Sequence, residues 1–243
     1  MKLLISGEGS SDIGACNNGQ GVCSDDVFSP GPMAIWLTRL WENLLKYDLL
    51  SVPEAVVFVS EATLSKDAKH RTSRMKSMRG KSKPPETGYY FINAQQLGLR
   101  AKKLSDENSS PVMAVLFRDA DGTHSAPGQL WQTKWESMLY GFEAAEFEFG
   151  VPMLPKPKSE AWLICATKHR NHSYANLEKI SGNDNSPHSA KDQLDAALGR
   201  HHSAAELADW CQANPVDWIQ LNTMPSFRAF YDRFQEVVLG LRQ

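Results

Sequence analysis

Short unbroken apolar runs alternate along this chain with longer segments whose apolar residues recur every three or four positions. The runs fall at residues 2–6, 55–59, Val112–Phe117 and 147–154. Runs of this length with no polar alternate are the pattern of strands buried on both faces, as in parallel sheets covered by helices. Between them, residues 33–46 place Ile35, Trp36, Leu40, Leu44 and Leu45 at helical spacing, and residues 93–104 suit a helix. Residues 130–145 do the same with Trp131, Trp135, Met138, Leu139 and Phe142. After His188 the pattern becomes helical throughout, over 190–198, 203–211, 216–221 and 226–239. The last of these carries a stripe of Phe227, Phe230, Tyr231, Phe234 and Val238, which reads as core. Residues 14–32 and 171–187 are rich in Gly, Asn, Ser, Asp and Pro and read as loops. Tyr89, Tyr90 and Phe91 read as a buried strand or loop rather than a base-stacking surface. The expected fold class is α/β, with a mainly parallel sheet flanked by helices and a helical C-terminal region.

The strongest local feature follows the run Val112–Phe117. It ends in Asp119-Ala120-Asp121-Gly122, with two carboxylates two positions apart. In extended chain such positions project to the same side. The carboxyl ends of strands are where open α/β sheets bind ligands. Two unpaired carboxylates this close repel one another, and a divalent cation relieves the repulsion. The same residues also spell a plain strand-ending turn. At the N-terminus the run 2–6 breaks into Gly7-Glu8-Gly9-Ser10-Ser11-Asp12. A Walker loop would need Gly-Lys-Ser/Thr, and a dinucleotide fingerprint would need glycine where Asp12 stands. Both fail, and an acid where phosphate oxygens would sit points to a cation. A third acid, Glu160, follows Pro155-Lys156-Pro157-Lys158-Ser159, a helix start in which an acid is favoured by the helix dipole.

Charge adds one more candidate. The chain has 243 residues and a net charge of −2, so nothing global points to nucleic acid. Residues 66–83 nevertheless hold eight basic side chains against one acid, Asp67. They are Lys66, Lys69, Arg71, Arg74, Lys76, Arg79, Lys81 and Lys83, a set suited either to contacting a phosphate backbone or to a solvated arm. Apolar residues make up 42% and charged residues 22%, as in ordinary globular chains. No apolar run is long enough to span a bilayer, and the apolar start is too short for a signal peptide. The expectation is a cytoplasmic protein with no membrane partner, whose Cys16, Cys23, Cys165 and Cys211 are free thiols. Their spacing matches no structural zinc pattern. None of the seven histidines is assigned a metal. His124, just past the acidic pair, is the one histidine that is a catalytic candidate.

The acidic clusters, in this order on strand ends, resemble the Toprim superfamily, which includes topoisomerases, bacterial primases and the overcoming-lysogenization-defect nucleases. Its first motif is a strand ending in Glu-Gly with a further acid nearby, here Leu3-Leu4-Ile5-Ser6-Gly7-Glu8-Gly9-Ser10-Ser11-Asp12. Its second is a strand ending in Asp-x-Asp, here Asp119-Ala120-Asp121. The segment Lys156-Pro157-Lys158-Ser159-Glu160-Ala161-Trp162-Leu163, the Pro187-His188-Ser189-Ala190-Lys191 turn and Pro225-Ser226-Phe227 resemble small standalone Toprim proteins. The loop at 14–32 is longer than the resemblance leads one to expect. The division it implies is a Toprim-like catalytic domain over 1–168, with a basic insertion at 66–91, and a helical region over 169–243 packed on the same domain.

The activity implied by the resemblance is Mg²⁺- or Mn²⁺-dependent phosphodiester hydrolysis of DNA or RNA, in phage defence or as a toxin-like effector. Glu8, Asp119 and Asp121 would hold a first ion, and Asp12 and Glu160 would help hold a second. Glu8 would otherwise be the general base of a one-ion reaction. Lys156 or Lys158 would neutralise the scissile phosphate. Lys69, Arg71, Arg74, Lys76, Arg79, Lys81 and Lys83 would contact nucleic acid. There is no ATPase motif, so nucleotide-driven regulation would need a separate ATPase or regulatory partner. Two readings compete with this one. The first is a non-catalytic Toprim-like module that binds nucleic acid or a protein. The second is an aspartate-based phosphatase or phosphotransfer domain with Asp119 as nucleophile.

Overall fold

Three neighbouring parallel strands carry the chain's acidic motifs to one edge. The computed structural model describes residues 1–72, 85–120, 129–167, 174 and 176–242, without the side chains of 71, 72, 85, 86 and 129. The first strand, β1 (Lys2–Gly7), leads into β2 (Gly14–Cys16), β3 (Val22–Ser24) and β4 (Phe28–Pro30). Next come α1 (Pro32–Leu45), β5 (Val56–Ser60), α2 (Glu61–Thr72) and α3 (Pro85–Asn108). The second half runs β6 (Val112–Phe117), α4 (Gln129–Ala144), β7 (Gly150–Met153) and α5 (Ser159–Thr167). It closes with α6 (Ala190–Leu198), α7 (Ala204–Ala213), α8 (Trp218–Leu221) and α9 (Pro225–Gly240).

The main sheet has the order β3-β5-β1-β6-β7. Strands β5, β1, β6 and β7 are parallel, and β3 joins antiparallel at the β5 edge. The chain passes from β1 outward to β5, then crosses back to β6 on the other side of β1. Strand order therefore reverses at β1, and the crevice at the carboxyl ends there is the ligand-binding position of open α/β sheets. Every residue of β6 is buried, as are Leu3, Leu4 and Ile5 of β1. The unbroken apolar runs thus belong to strands with both faces covered.

Register decides what meets at that end. Gly7 of β1 lies opposite both Ser60 of β5 and Phe117 of β6. A β-carbon on Gly7 would stand 2.7 Å from the Phe117 carbonyl oxygen, so only glycine lets β1 and β6 approach this closely. One step beyond this rung come Glu8, Glu61 and Arg118.

The helices obey ordinary end rules. Proline occupies the start of α1 and of α9, where its missing N–H costs nothing. A capping box of Ser203 and Glu206 starts α7. The C-terminal helices pack on the sheet domain through aromatic rings. Trp162 of α5 lies 5.0 Å from Phe227 and 5.7 Å from Phe230, and its indole N–H donates to Ser226 Oγ at 2.9 Å. Trp41 of α1 meets Phe234 at 6.2 Å, and Trp36 meets Trp218 at 6.3 Å. The stripe on α9 is core, as its spacing predicts.

Three expectations are corrected. Residues 14–32 are not a plain loop: β2 pairs with β4, β3 extends the main sheet, and Phe28 stacks on Phe58 at 5.1 Å. Gly14, at φ +105°, supplies a turn that a side chain would oppose, and a β-carbon there would meet Ser29. Tyr89, Tyr90 and Phe91 lie on α3 rather than on a strand or loop, with Tyr90 buried and Tyr89 exposed. Cys16 and Cys23 are joined in a disulfide that ties β2 to β3, while Cys165 and Cys211 are free and buried. The antiparallel pairing of β3 on β5 brings Cys23 back beside Cys16, a proximity their spacing did not reveal. Among the described residues no helix is long and apolar enough to cross a membrane.

Two outcomes follow from this packing. Intact-mass analysis after alkylation in denaturant without reductant should show adducts on the two free cysteines alone, and on all four only after reduction. Phe227→Ala should cost about 3–5 kcal/mol in urea unfolding, as expected for an aromatic side chain removed from a closed cluster.

Candidate functional site

Two linked clusters occupy the carboxyl edge of the sheet. The first is built around Ser159, the opening residue of α5. Its backbone N–H donates to Asp119 Oδ1 at 3.0 Å, and its hydroxyl donates to Asp12 Oδ1. The same hydroxyl lies 3.4 Å from Glu160 Oε2. One residue at a helix start therefore joins acids from three separate stretches of chain. The free N–H groups of a first helical turn favour carboxylates there.

Asp12 is placed by the segment that follows it. Its carbonyl accepts from Met33 N at 2.9 Å, and Gly31 N donates to the Ile13 carbonyl at 3.2 Å. Ser11 Oγ donates to Asp12 Oδ2 at 3.0 Å. The turn after β1 is therefore anchored to the start of α1.

The second cluster surrounds Arg118. One end of its guanidinium, Nη2, pairs with Glu8, and Nη1 pairs with Glu61. The guanidinium also lies over the Tyr90 ring, 4.9 Å from the centroid. Lys134, 3% exposed, approaches the same ring at 5.3 Å and donates to the Ala120 carbonyl. Tyr90 donates its hydroxyl to the Asp119 carbonyl at 3.0 Å. Asn93 Nδ2 donates to Glu61 at 2.6 Å.

Burial and crowding set the electrostatics. Asp119 is pushed well above the ordinary carboxylate range, first by burial and then by the charges of Asp12 and Glu160. Glu160 is raised by burial and by Asp12, against the opposing pull of Lys158. Burial also raises Glu8, and Glu61 and Asp12 add to the shift, while Arg118 and Lys134 oppose it. Burial alone would lower Arg118, but Glu8 and Glu61 reverse the sign and raise it. Burial pushes the Tyr90 hydroxyl up to about 12.

Glu8, Asp12, Asp119 and Glu160 are thus brought to one end of the sheet. Lys158 stands beside them but pairs with Asp184 at 2.8 Å. Asp121 and His124 lie outside the described residues, as do Arg74, Lys76, Arg79, Lys81 and Lys83. Lys66 and Lys69 are exposed on α2; Arg71 lies on the same helix, its side chain outside the description. Among the described residues, no three acids, histidines or cysteines stand close enough together to enclose a metal ion. The donors at this edge are all carboxylate oxygens, the chemistry of Mg²⁺ and Mn²⁺ rather than zinc.

Arg118, Glu61, Tyr90, Asn93 and Lys134 escaped the sequence reading. Two signals were available. Glu61 directly follows an apolar strand, as Glu8 does, and Arg118 directly precedes Asp119. Tyr90, Asn93 and Lys134 arrive from α3 and α4, and no local spacing marks them.

No family model, curated protein or solved structure matches the chain.

Asp119 carries a raised folded-state value, so the folded chain holds its proton where the unfolded chain has released it. Stability then falls as pH rises from the ordinary carboxylate value of about 4. Asp119→Asn keeps the acceptor for the Ser159 N–H and removes the charge. Without divalent cations at pH 7 its Tm should exceed that of the wild type by a few degrees. The gap should shrink as pH falls toward 4, as measured by differential scanning fluorimetry.

Proposed function

We propose that this protein is a metal-dependent nuclease of Toprim-like type. The reading is carried by one observation: Asp12, Asp119 and Glu160 come from three distant stretches and converge on Ser159 at the sheet's carboxyl edge, where burial and the charge of Asp12 raise both Asp119 and Glu160. Buried carboxylates that repel one another gain stability from a cation placed among them. The resemblance in motif order supports the same conclusion.

On this reading Asp12 and Asp119, both held by Ser159, would supply the first ligands of a divalent ion, and Glu160, Glu8 and Asp121 are the candidates that would complete its shell. Bound Mg²⁺ or Mn²⁺ would supply charge stabilisation at the phosphoryl oxygens and a water more acidic than bulk. Ser159 keeps two of the carboxylates oriented by donating to both. Tyr90 and Lys134 fix the backbone that leaves Asp119 by donating to the carbonyls of Asp119 and Ala120. Lys158 lies next to Glu160 and would face the substrate phosphate. The basic residues 66–83 would bind the flanking backbone, with affinity falling as salt rises. Any ATPase partner remains part of the proposal, as does a cytoplasmic setting.

The test is cleavage of a panel of single- and double-stranded DNA and RNA with Mg²⁺, Mn²⁺ or EDTA. Cleavage should require the ion. Asp119→Ala should reduce it by about two orders of magnitude or more, with circular dichroism unchanged. Full activity in Asp119→Ala overturns the assignment. Nucleic-acid binding that ignores both Mg²⁺ and Asp119, with no cleavage, would instead identify a binding module.

A further inference from the structure

Arg118 occupies a position with no counterpart among the motifs that suggested the nuclease reading. It lies between two carboxylates from two different strand ends, one rung past the Gly7–Phe117 pairing. Its side chain is 14% exposed, against 32% for Glu8 and 29% for Glu61. The guanidinium carries five donors in a rigid fork. Nη1 is committed to Glu61, which Asn93 also holds. Nη2 is committed to Glu8. The third position, Nε, is buried and has no hydrogen-bond acceptor among the described residues. A buried donor without an acceptor costs on the order of 1–3 kcal/mol, so its retention calls for a reason.

Glu8 is claimed from two directions. Its carboxylate pairs with Arg118, yet its charge is felt by Asp119 and it feels that of Asp12. A divalent ion held by Asp12 and Asp119 would attract Glu8 more strongly than a monocation does, because the attraction scales with charge.

We propose that Arg118 and the divalent cation compete for Glu8, so that cation binding releases the Nε and Nη2 edge of Arg118 to take a substrate phosphate. The proposal rests on the reading of this edge as a cation site. Nη1 would stay on Glu61, and the Tyr90 ring would keep the guanidinium in place. The released edge carries two parallel N–H groups, the fork that matches two oxygens of one phosphate. Arg118 would then be silent toward phosphate until the cation arrives. A purely structural Arg118 would be an ion-pair bridge whose removal affects folding alone.

The test measures Mn²⁺ affinity directly, from the electron paramagnetic resonance signal of the free ion over the intact protein. Arg118→Gln should bind Mn²⁺ about tenfold more tightly than the wild type, within the range usual for coupled sites. Glu61→Gln leaves the whole Arg118 charge to Glu8 and should weaken Mn²⁺ binding several-fold. It keeps an acceptor for Asn93, so it tests the proposal even if Arg118→Gln does not fold. Asp119→Asn should weaken Mn²⁺ binding by a larger factor. If Asp119→Asn binds as the wild type does, the cation site itself is misplaced and both readings fail. If Asp119→Asn loses affinity while Arg118→Gln and Glu61→Gln do not move it, the competition alone is overturned. A second readout uses a phosphorothioate dinucleotide. Its binding to the wild type should strengthen when Mn²⁺ saturates the protein. Strengthening that persists in Arg118→Gln overturns the release step.

Discussion

The pairing of Gly7 with both Ser60 and Phe117 sets the geometry of this molecule. Three parallel strands end level with one another, and the next residue on each is charged: Glu61, Glu8 and Arg118. Hydrogen-bond registry in a parallel ladder is fixed along the whole strand, so the ion pairs at the edge follow from the backbone rather than from side-chain choice. The absence of a β-carbon at Gly7 is what permits the close approach of β1 and β6. A larger residue there would push the strands apart at the level where Glu8 and Arg118 meet. Packing on both covered faces of β1 and β6 holds that register in place, because a one-residue slip in either strand would exchange the side chains fitted to its two faces.

The segment from Gly14 to Pro30 has a related role. Its composition reads as loop because Gly, Asn, Ser and Asp dominate it. Yet Cys23 and Phe28 are buried, β3 lies on the sheet edge, and the Cys16–Cys23 bridge ties β2 to β3. What this folded segment holds is the turn at Asp12, through Gly31 and Met33. A flexible connection of this length would leave Asp12 free to move away from Asp119, with which it shares repulsion. The structured hairpin and the hydroxyl of Ser159 together offset that repulsion.

The fold was legible wherever one physical rule acted alone. Continuous apolar runs identified β1, β5 and β6, and the helical stripe of Phe227, Phe230 and Phe234 identified core. The start of α5 at Ser159 was readable because capping is local, and the starts of α1 and α9 were placed one residue late, just after their first-turn prolines. The strands at 14–30 were not, since their partners are remote and their residues favour turns. Tyr90 was read as buried, as it is, but on the wrong element: its partners Arg118, Asp119 and Lys134 come from the end of β6 and from α4, which no local spacing marks. At the site, the acids were visible and their counter-charge was not. Arg118 stood in plain view beside Asp119, but only the register shows that it faces Glu8 and Glu61.

Charge balance at this edge also bears on the order of events in the proposed reaction. Five acids converge: Glu8, Asp12, Glu61, Asp119 and Glu160. Against them stand Arg118, Lys134 and Lys158, and Lys158 is shared with Asp184. The edge as a whole is negative, and a phosphate backbone approaching it would be repelled. Divalent cations reverse that sign locally, so on the nuclease reading the cation must bind before or with the substrate. On the same reading the basic stretch on and beyond α2 would gather nucleic acid by long-range attraction that salt screens. The two tasks would then be separate: attraction at a distance would fall to the basic residues, and admission of a phosphate to the carboxylate edge would fall to the ion.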